Sequence, residues 1–229
     1  MAEQHISSNF DRELDSIHQY VARMGELCKS SLDIVMDTLF NADELDLDRI
    51  LQHEVDINQL NVTIDAECQA IIARRQPTAS DLRFIITMSR VSIDLERIGD
   101  EIKKIAFIMQ DLLDNYHVTT QEMYHTYRLS TLTMPMMNRA LNAFHQLDTS
   151  AFAELREMDN FLDQDYREQI RIISTYMVEN PQRISIWIWL MMINKSLERV
   201  GDHCKNISEH IIYLVEAVDV RHQNVSNNH

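Results

Sequence analysis

The sequence predicts an all-α protein made of two tandem three-helix antiparallel bundles related by an internal pseudo-two-fold repeat. Three observations predict it. Only three Gly and three Pro occur in 229 residues, too few turn formers for the many reversals of a sandwich or barrel. Behind Pro77, apolar residues recur without a break at Phe84, Met88, Val91, Leu95, Ile98, Ile102, Ile105, Met109 and Leu112, in alternating steps of four and three that mark one buried helical seam. Adding 102 to each number lands on Ile186, Leu190, Ile193, Leu197, Val200, Cys204, Ile207, Ile211 and Leu214, again apolar throughout. Within this register Leu95-Glu-Arg-Ile-Gly-Asp-Glu-Ile-Lys-Lys-Ile105 and Leu197-Glu-Arg-Val-Gly-Asp-His-Cys-Lys-Asn-Ile207 agree at seven of eleven positions. A period near a hundred residues implies duplicated subdomains rather than a solenoid.

The elements follow in order. Helical patterns fill Phe10 to Phe40 and Leu45 to Arg74, separated by an acidic turn at residues 41–44. Pro77, within Gln76-Pro-Thr-Ala-Ser-Asp81, opens the third helix. The second half repeats the scheme over Thr120 to Leu147, where Pro135 is expected to kink the helix, and Thr149 to Val178. Asn180 followed by Pro181 reads as an N-cap with proline at the first helical position. The organisation expected is a tail over 1–9, bundles over 10–116 and 117–218, and a tail over 219–229. Helices of about thirty residues span about 45 Å, so an elongated molecule is expected, and short connections make neighbours antiparallel.

Lys and Arg number 21 against 36 Asp and Glu, a net charge of −15 that repels nucleic-acid backbones and favours basic surfaces or cations as counterparts. Cys28, Cys68 and Cys204 are odd in number and show no ligand spacing, which reads as reduced core thiols in a cytosol. The N-terminus lacks a signal-peptide pattern, and the most apolar stretch, Ile184 to Ile193, is too short to span a bilayer. A soluble protein that is not secreted is expected.

The informative chemistry is in paired acids. Glu96 and Asp100, and again Glu198 and Asp202, are four residues apart, which puts both side chains on one helical face within about 6 Å, a spacing that can chelate a hard cation. At about 100° per residue they lie about 150° from the apolar seam, and so face away from their own core. Gly99 and Gly201 sit beside them in mid-helix, where glycine costs about 1 kcal/mol relative to alanine, so a packing notch or a direct role must compensate. A second set with the same spacing lies on each preceding helix, Asp159 with Asp163 and Glu54 with Asn58. Side-by-side helices would bring four oxygen-bearing side chains together per half, suited to carboxylate-bound cations. Neutral Asn58 makes the first site the weaker. The plainer reading is a solvated face with Asp100–Lys103 and Asp202–Lys205 pairs, each worth a few tenths of a kcal/mol.

The duplicated Leu-Glu-Arg-Ile/Val-Gly-Asp phrase, the paired acids and the segment Ile71-Ile-Ala-Arg-Arg-Gln-Pro-Thr-Ala-Ser-Asp-Leu82 resemble the PhoU family from about Phe10 to Val218. The resemblance implies a pair of three-helix bundles and a non-enzymatic cytoplasmic regulator. Such a regulator restrains the phosphate-starvation response by contacting a phosphate-sensing histidine kinase and the ATPase subunit of the phosphate ABC transporter. It also implies a homodimer, contact with the membrane only through partners, and, as in some relatives, multinuclear iron or zinc clusters. Carried over, the metal positions are Glu54, Asn58, Glu96, Asp100, Asp159, Asp163, Glu198 and Asp202.

Other constellations say less. Glu122-Met-Tyr-His125 has di-iron spacing but only one copy, and reads as a helix-start acid with a surface histidine. His5, His222 and His229 read as solvated. Met134-Pro-Met-Met137 and Trp187-Ile-Trp189 read as packing, or, if the tryptophans are exposed, as a partner surface. No nucleophilic triad, glycine-rich phosphate loop or reactive cysteine setting occurs. Two alternatives remain beside the regulator, a carboxylate-bridged helical metalloenzyme, whose acids would have to lie inside the core, and a metal-free helical adaptor.

Overall fold

The computed structural model describes the backbone of residues 2–41 and 45–220 and the side chains of 9–40 and 45–220. Residues 42–44 of the acidic turn, most of the C-terminal tail with His222 and His229, and the His5 side chain therefore lie outside the described residues.

Six α-helices make up the described chain, joined by short connections, with no strand among the described residues. α1 (Ala2–Asn41) begins before Phe10 and takes in the segment expected as an N-terminal tail, which contains no helix-breaking Gly or Pro. α2 (Leu47–Arg75) is opened by Asp46, whose carboxylate accepts the Arg49 N–H at 3.1 Å. It ends where Gln76 turns left-handed (φ 47°) ahead of Pro77, a residue that cannot continue a helix. α3 (Ala79–Asn115) follows directly.

α4 (Thr120–Gln146) starts in a reciprocal cap. Thr119 Oγ1 accepts the Glu122 N–H at 3.3 Å, and Glu122 accepts the Thr119 N–H at 2.8 Å. Pro135 lies inside α4 without ending it. α5 (Ala151–Glu179) leads to Asn180 and a single 3-10 turn, Pro181–Arg183, before α6 (Ile184–Glu216). The long helix thus starts three residues after Pro181, and Asn180 makes no side-chain cap.

Helices α1 to α3 pack mutually as one bundle and α4 to α6 as the other, while α3 against α6 is the most extensive pairing of all. Both seams are buried along their length, with only their outer members Phe84 and Leu214 partly exposed. One apolar core runs through both halves. The three thiols are buried and free, as expected of core cysteines. Trp187 is buried and stacks on Tyr176 with ring centroids 4.9 Å apart, so it is a packing residue and not an exposed partner contact.

The mid-helix glycines are packing notches of unequal depth. A Cβ at Gly201 would come within 2.3 Å of Leu162 Cδ2 and 3.3 Å of Met136 Sδ, and both neighbours are buried. At Gly99 it would meet Ile57 Cδ1 at 3.2 Å, a contact relieved by a few tenths of an ångström. Alanine improves helix propensity equally at both sites, so the difference between them isolates the steric term. Gly99→Ala should change stability by less than about 1 kcal/mol, whereas Gly201→Ala should destabilise by about 1–3 kcal/mol in urea unfolding at unchanged m.

Candidate functional site

The acidic motifs lie in the grooves between neighbouring helices. In the first half, Glu54 of α2 and Asp100 of α3 converge on one cation, Lys103 of α3. Lys103 Nζ forms a short ion pair with Glu54 and stands 3.4 Å from Asp100. Asn58 donates its amide N–H to Glu54 at 2.7 Å, and Glu96 is met by Arg97 at 3.5 Å.

The second half repeats the arrangement with an acid in place of the amide. Lys205 of α6 forms a short ion pair with Asp159 of α5 and lies 3.2 Å from Asp202. Asp163 is held by Arg167 at 3.1 Å and Glu198 by Lys195 at 2.5 Å. Glu198 and Asp159 are buried, 8 % and 7 % exposed. The rotation argument therefore holds in keeping the acids out of the apolar core, but only in part in setting them on an open face, because the adjoining helix buries Asp159 and Glu198 while Asp202 keeps 45% of its side chain exposed.

The electrostatics follow from one ammonium among three carboxylates. Burial pushes the Asp159 carboxyl up against the pull of Lys205, with repulsion from Asp202 and Asp163 in the same direction. Lys205 is pulled down by burial and raised further by Asp159 and Asp202, so it ends above its ordinary range. Both shifts have one sense, toward holding protons, as expected where negative charge is in excess.

As placed, these residues do not suit a multinuclear metal cluster. A lysine ammonium stands between the acids in each half, the remaining acids turn to their own basic or amide partners, and among the described residues no three His, Cys, Asp or Glu side chains form a metal-holding group.

A second polar cluster, absent from the sequence-based expectations, joins the two halves where α3 and α6 cross. Asp94 of α3 is buried and receives three contacts from α6. His203 Nδ1 lies 2.7 Å and Asn206 Nδ2 3.2 Å from Oδ1, and His210 Nε2 lies 2.9 Å from Oδ2. Two turns further along the same side of α3, Glu101 accepts from Ser196 at 2.7 Å and Arg199 at 3.0 Å of α6, and from Lys104 at 2.8 Å. In the repeat Asp94 corresponds to Ser196 and Glu101 to His203, so the contacts Asp94–His203 and Ser196–Glu101 are one contact seen from its two ends. Rising numbers on α3 meet falling numbers on α6, so the helices cross antiparallel. Burial alone pushes the Asp94 carboxyl up, but hydrogen bonds from His203, His210 and Asn206 outweigh it and bring the pKa to about 2. Glu101 is lowered in the same way, burial being outweighed by Lys104, Ser196 and Arg199.

Glu122 acts as the expected helix-start acid and is clamped by Arg183, Nε to Oε1 at 2.5 Å. His125 is not at the surface. It is buried, bonds Gln169 at 2.7 Å and lies against the rings of Tyr124, Tyr176 and Trp187.

Fold and polar clusters together define a class, duplicated three-helix-bundle proteins whose halves join through their third helices and whose acidic motifs lie in the grooves beside that junction. A family model described as PhoU domain matches residues 21–109 and 126–211. A "Phosphate-specific transport system accessory protein PhoU homolog" from Burkholderia sp is 37% identical over 97% of this chain and 95% of that protein. The "Phosphate-specific transport system accessory protein PhoU" of Escherichia coli K12 is 34% identical over 95% and 90%. The crystal structure of PhoU from Pseudomonas aeruginosa superposes with a TM-score of 0.83 at 36% identity, covering 91% of this chain and all of that one. The chain belongs to the PhoU family.

Two outcomes follow from these geometries. Because the folded pKa of Asp94 lies below the ordinary 3.8, its contribution of about 2 kcal/mol is fully present above about pH 4 and is lost as pH falls toward about 2. Urea unfolding across that range should show the loss in the parent chain and a flatter profile in Asp94→Asn. Lys205→Met leaves Asp159 and Asp202 without their shared cation and should destabilise by about 2–4 kcal/mol at neutral pH. A divalent ion has to displace Lys205 in the parent chain, so zinc should be held more tightly by Lys205→Met in a chelator competition.

Proposed function

We propose that the chain is a non-enzymatic, cytoplasmic accessory regulator of phosphate-specific transport. It restrains the phosphate-starvation response through protein contacts with a phosphate-sensing histidine kinase and with the ATPase subunit of the phosphate ABC transporter, acting as a homodimer. The observation that carries the reading is the relation to accessory proteins of phosphate transport over nearly the whole length of both chains. The distribution of charge supports it. A net charge of −15 and acids lining the interhelical grooves present a surface complementary to basic segments of partners. No described helix is long and apolar enough to cross a membrane, so contact with the membrane comes through those partners.

The test is genetic. A strain deleted for this gene, with no second copy, should express a starvation-induced phosphatase constitutively in high phosphate. Repression that persists in the deletion strain overturns the reading. Substituting exposed groove acids such as Asp202→Asn should weaken co-purification of the kinase or the ATPase while leaving the fold intact by circular dichroism.

A further inference from the structure

A groove of about 440 Å³ opens between α3 and α6 across the pseudo-two-fold axis. It is lined by the same four positions of the repeat from each helix, so Arg97 on one side answers Arg199 on the other.

The hydrogen-bonding capacity of the lining is unevenly used. Glu101 has both oxygens engaged, Oε1 by Lys104 and Arg199 and Oε2 by Ser196. Asp100 and Asp202 each turn one oxygen toward a lysine that does not line the groove, Lys103 at 3.4 Å and Lys205 at 3.2 Å. Arg199 gives one N–H to Glu101 and keeps the rest of its guanidinium, and its side chain is 51% exposed. Arg97 meets Glu96 only at 3.5 Å, beyond a good hydrogen bond, and is 62% exposed. Lys104 is 52% exposed and engages Glu101 alone. The groove therefore presents two largely unengaged guanidinium forks related by the axis, with an ammonium on one side and the carboxylates of Asp100, Glu101 and Asp202 turned mainly to basic partners.

A guanidinium fork matches one face of a phosphoryl group through two parallel N–H bonds. Two forks related by a two-fold axis match a ligand carrying two phosphoryl groups. We propose that this groove binds the diphosphate group of a small molecule, one phosphoryl on Arg97 and the other on Arg199, with Lys104 beside them. The molecule's net charge of −15 and the groove's own Asp100, Glu101 and Asp202 repel anions, so binding depends on bidentate contact with both forks at once. The site rests on the groove alone and is independent of the regulatory reading.

Calorimetric titration of the full chain in magnesium-free buffer tests it, with inorganic pyrophosphate, ADP, orthophosphate and sulfate as probes. Saturable binding of pyrophosphate or ADP, about tenfold tighter than orthophosphate or sulfate, is the expected result. Pyrophosphate binding without ADP binding identifies the free inorganic ion as the ligand class, and comparable binding of both identifies a diphosphate borne on a larger molecule. Arg97→Gln, which breaks no hydrogen bond in the fold, should weaken binding several-fold, and the double variant with Arg199→Gln about tenfold or more. Arg171→Gln, on the exposed surface of α5, should leave it unchanged. Absence of saturable binding by both pyrophosphate and ADP, indifference to Arg97→Gln, or an equal loss in Arg171→Gln overturns the proposal.

Discussion

The antiparallel crossing of α3 and α6 is the constraint on which the other features depend. Each helix buries one face in its own bundle and another against its counterpart, so its side chains must serve the bundle and the junction at once. That requirement leaves the interhelical grooves as the place for the acidic motifs, and it explains why Asp94 and Glu101, each one residue before a seam position, are buried and fully engaged. A buried carboxylate is tolerated because each oxygen receives donors. With three donors around Asp94 and three around Glu101, burial is offset and the join between halves gains directional contacts that an apolar interface lacks.

Duplication followed by divergence accounts for the asymmetry of the two halves. Glu54 and Asn58 in one correspond to Asp159 and Asp163 in the other, and the lysine between the acids is common to both, as Lys103 and Lys205. The glycine notch is retained in both halves but is deeper in the second, where Leu162 closes over Gly201. At the crossing, an acid–hydroxyl pair on one side answers an acid–histidine pair on the other, so the same backbone geometry is held by different chemistry.

Much of the fold was legible in the sequence because its signals are local and periodic. The seam from Met88 to Leu112 and its copy at +102 could not be placed on anything but helices buried along one face, and Pro77 and Pro181 marked their starts to within a few residues. The candidate site was legible only in part. Spacing on one helix brought Glu96 with Asp100 and Glu198 with Asp202 to a common face, but it is blind to what a neighbouring helix contributes. Lys103 and Lys205 were visible as i,i+3 partners, yet their reach to Glu54 and Asp159 is a tertiary fact. Asp94, His203 and His210 had a faint signal, since the repeat exchanges Glu101 for His203 and Ile108 for His210, and a polar residue replacing an apolar one at a seam edge points to a partner from elsewhere. The burial of His125 had no such mark, because its partner Gln169 lies on another helix.

Enclosure also sets the chemical reactivity of the three thiols. Burial raises all three above the ordinary thiol range, Cys68 to about 11, with Asp65 and Glu67 adding to it, and Cys28 and Cys204 higher still. A thiol that stays protonated and enclosed reacts sluggishly with alkylating reagents. Cysteines introduced on exposed faces, one in each half, would therefore be the preferred targets of a pair of fluorophores or spin labels with the native residues left in place, which makes the unaltered chain a convenient background for distance measurements between its halves.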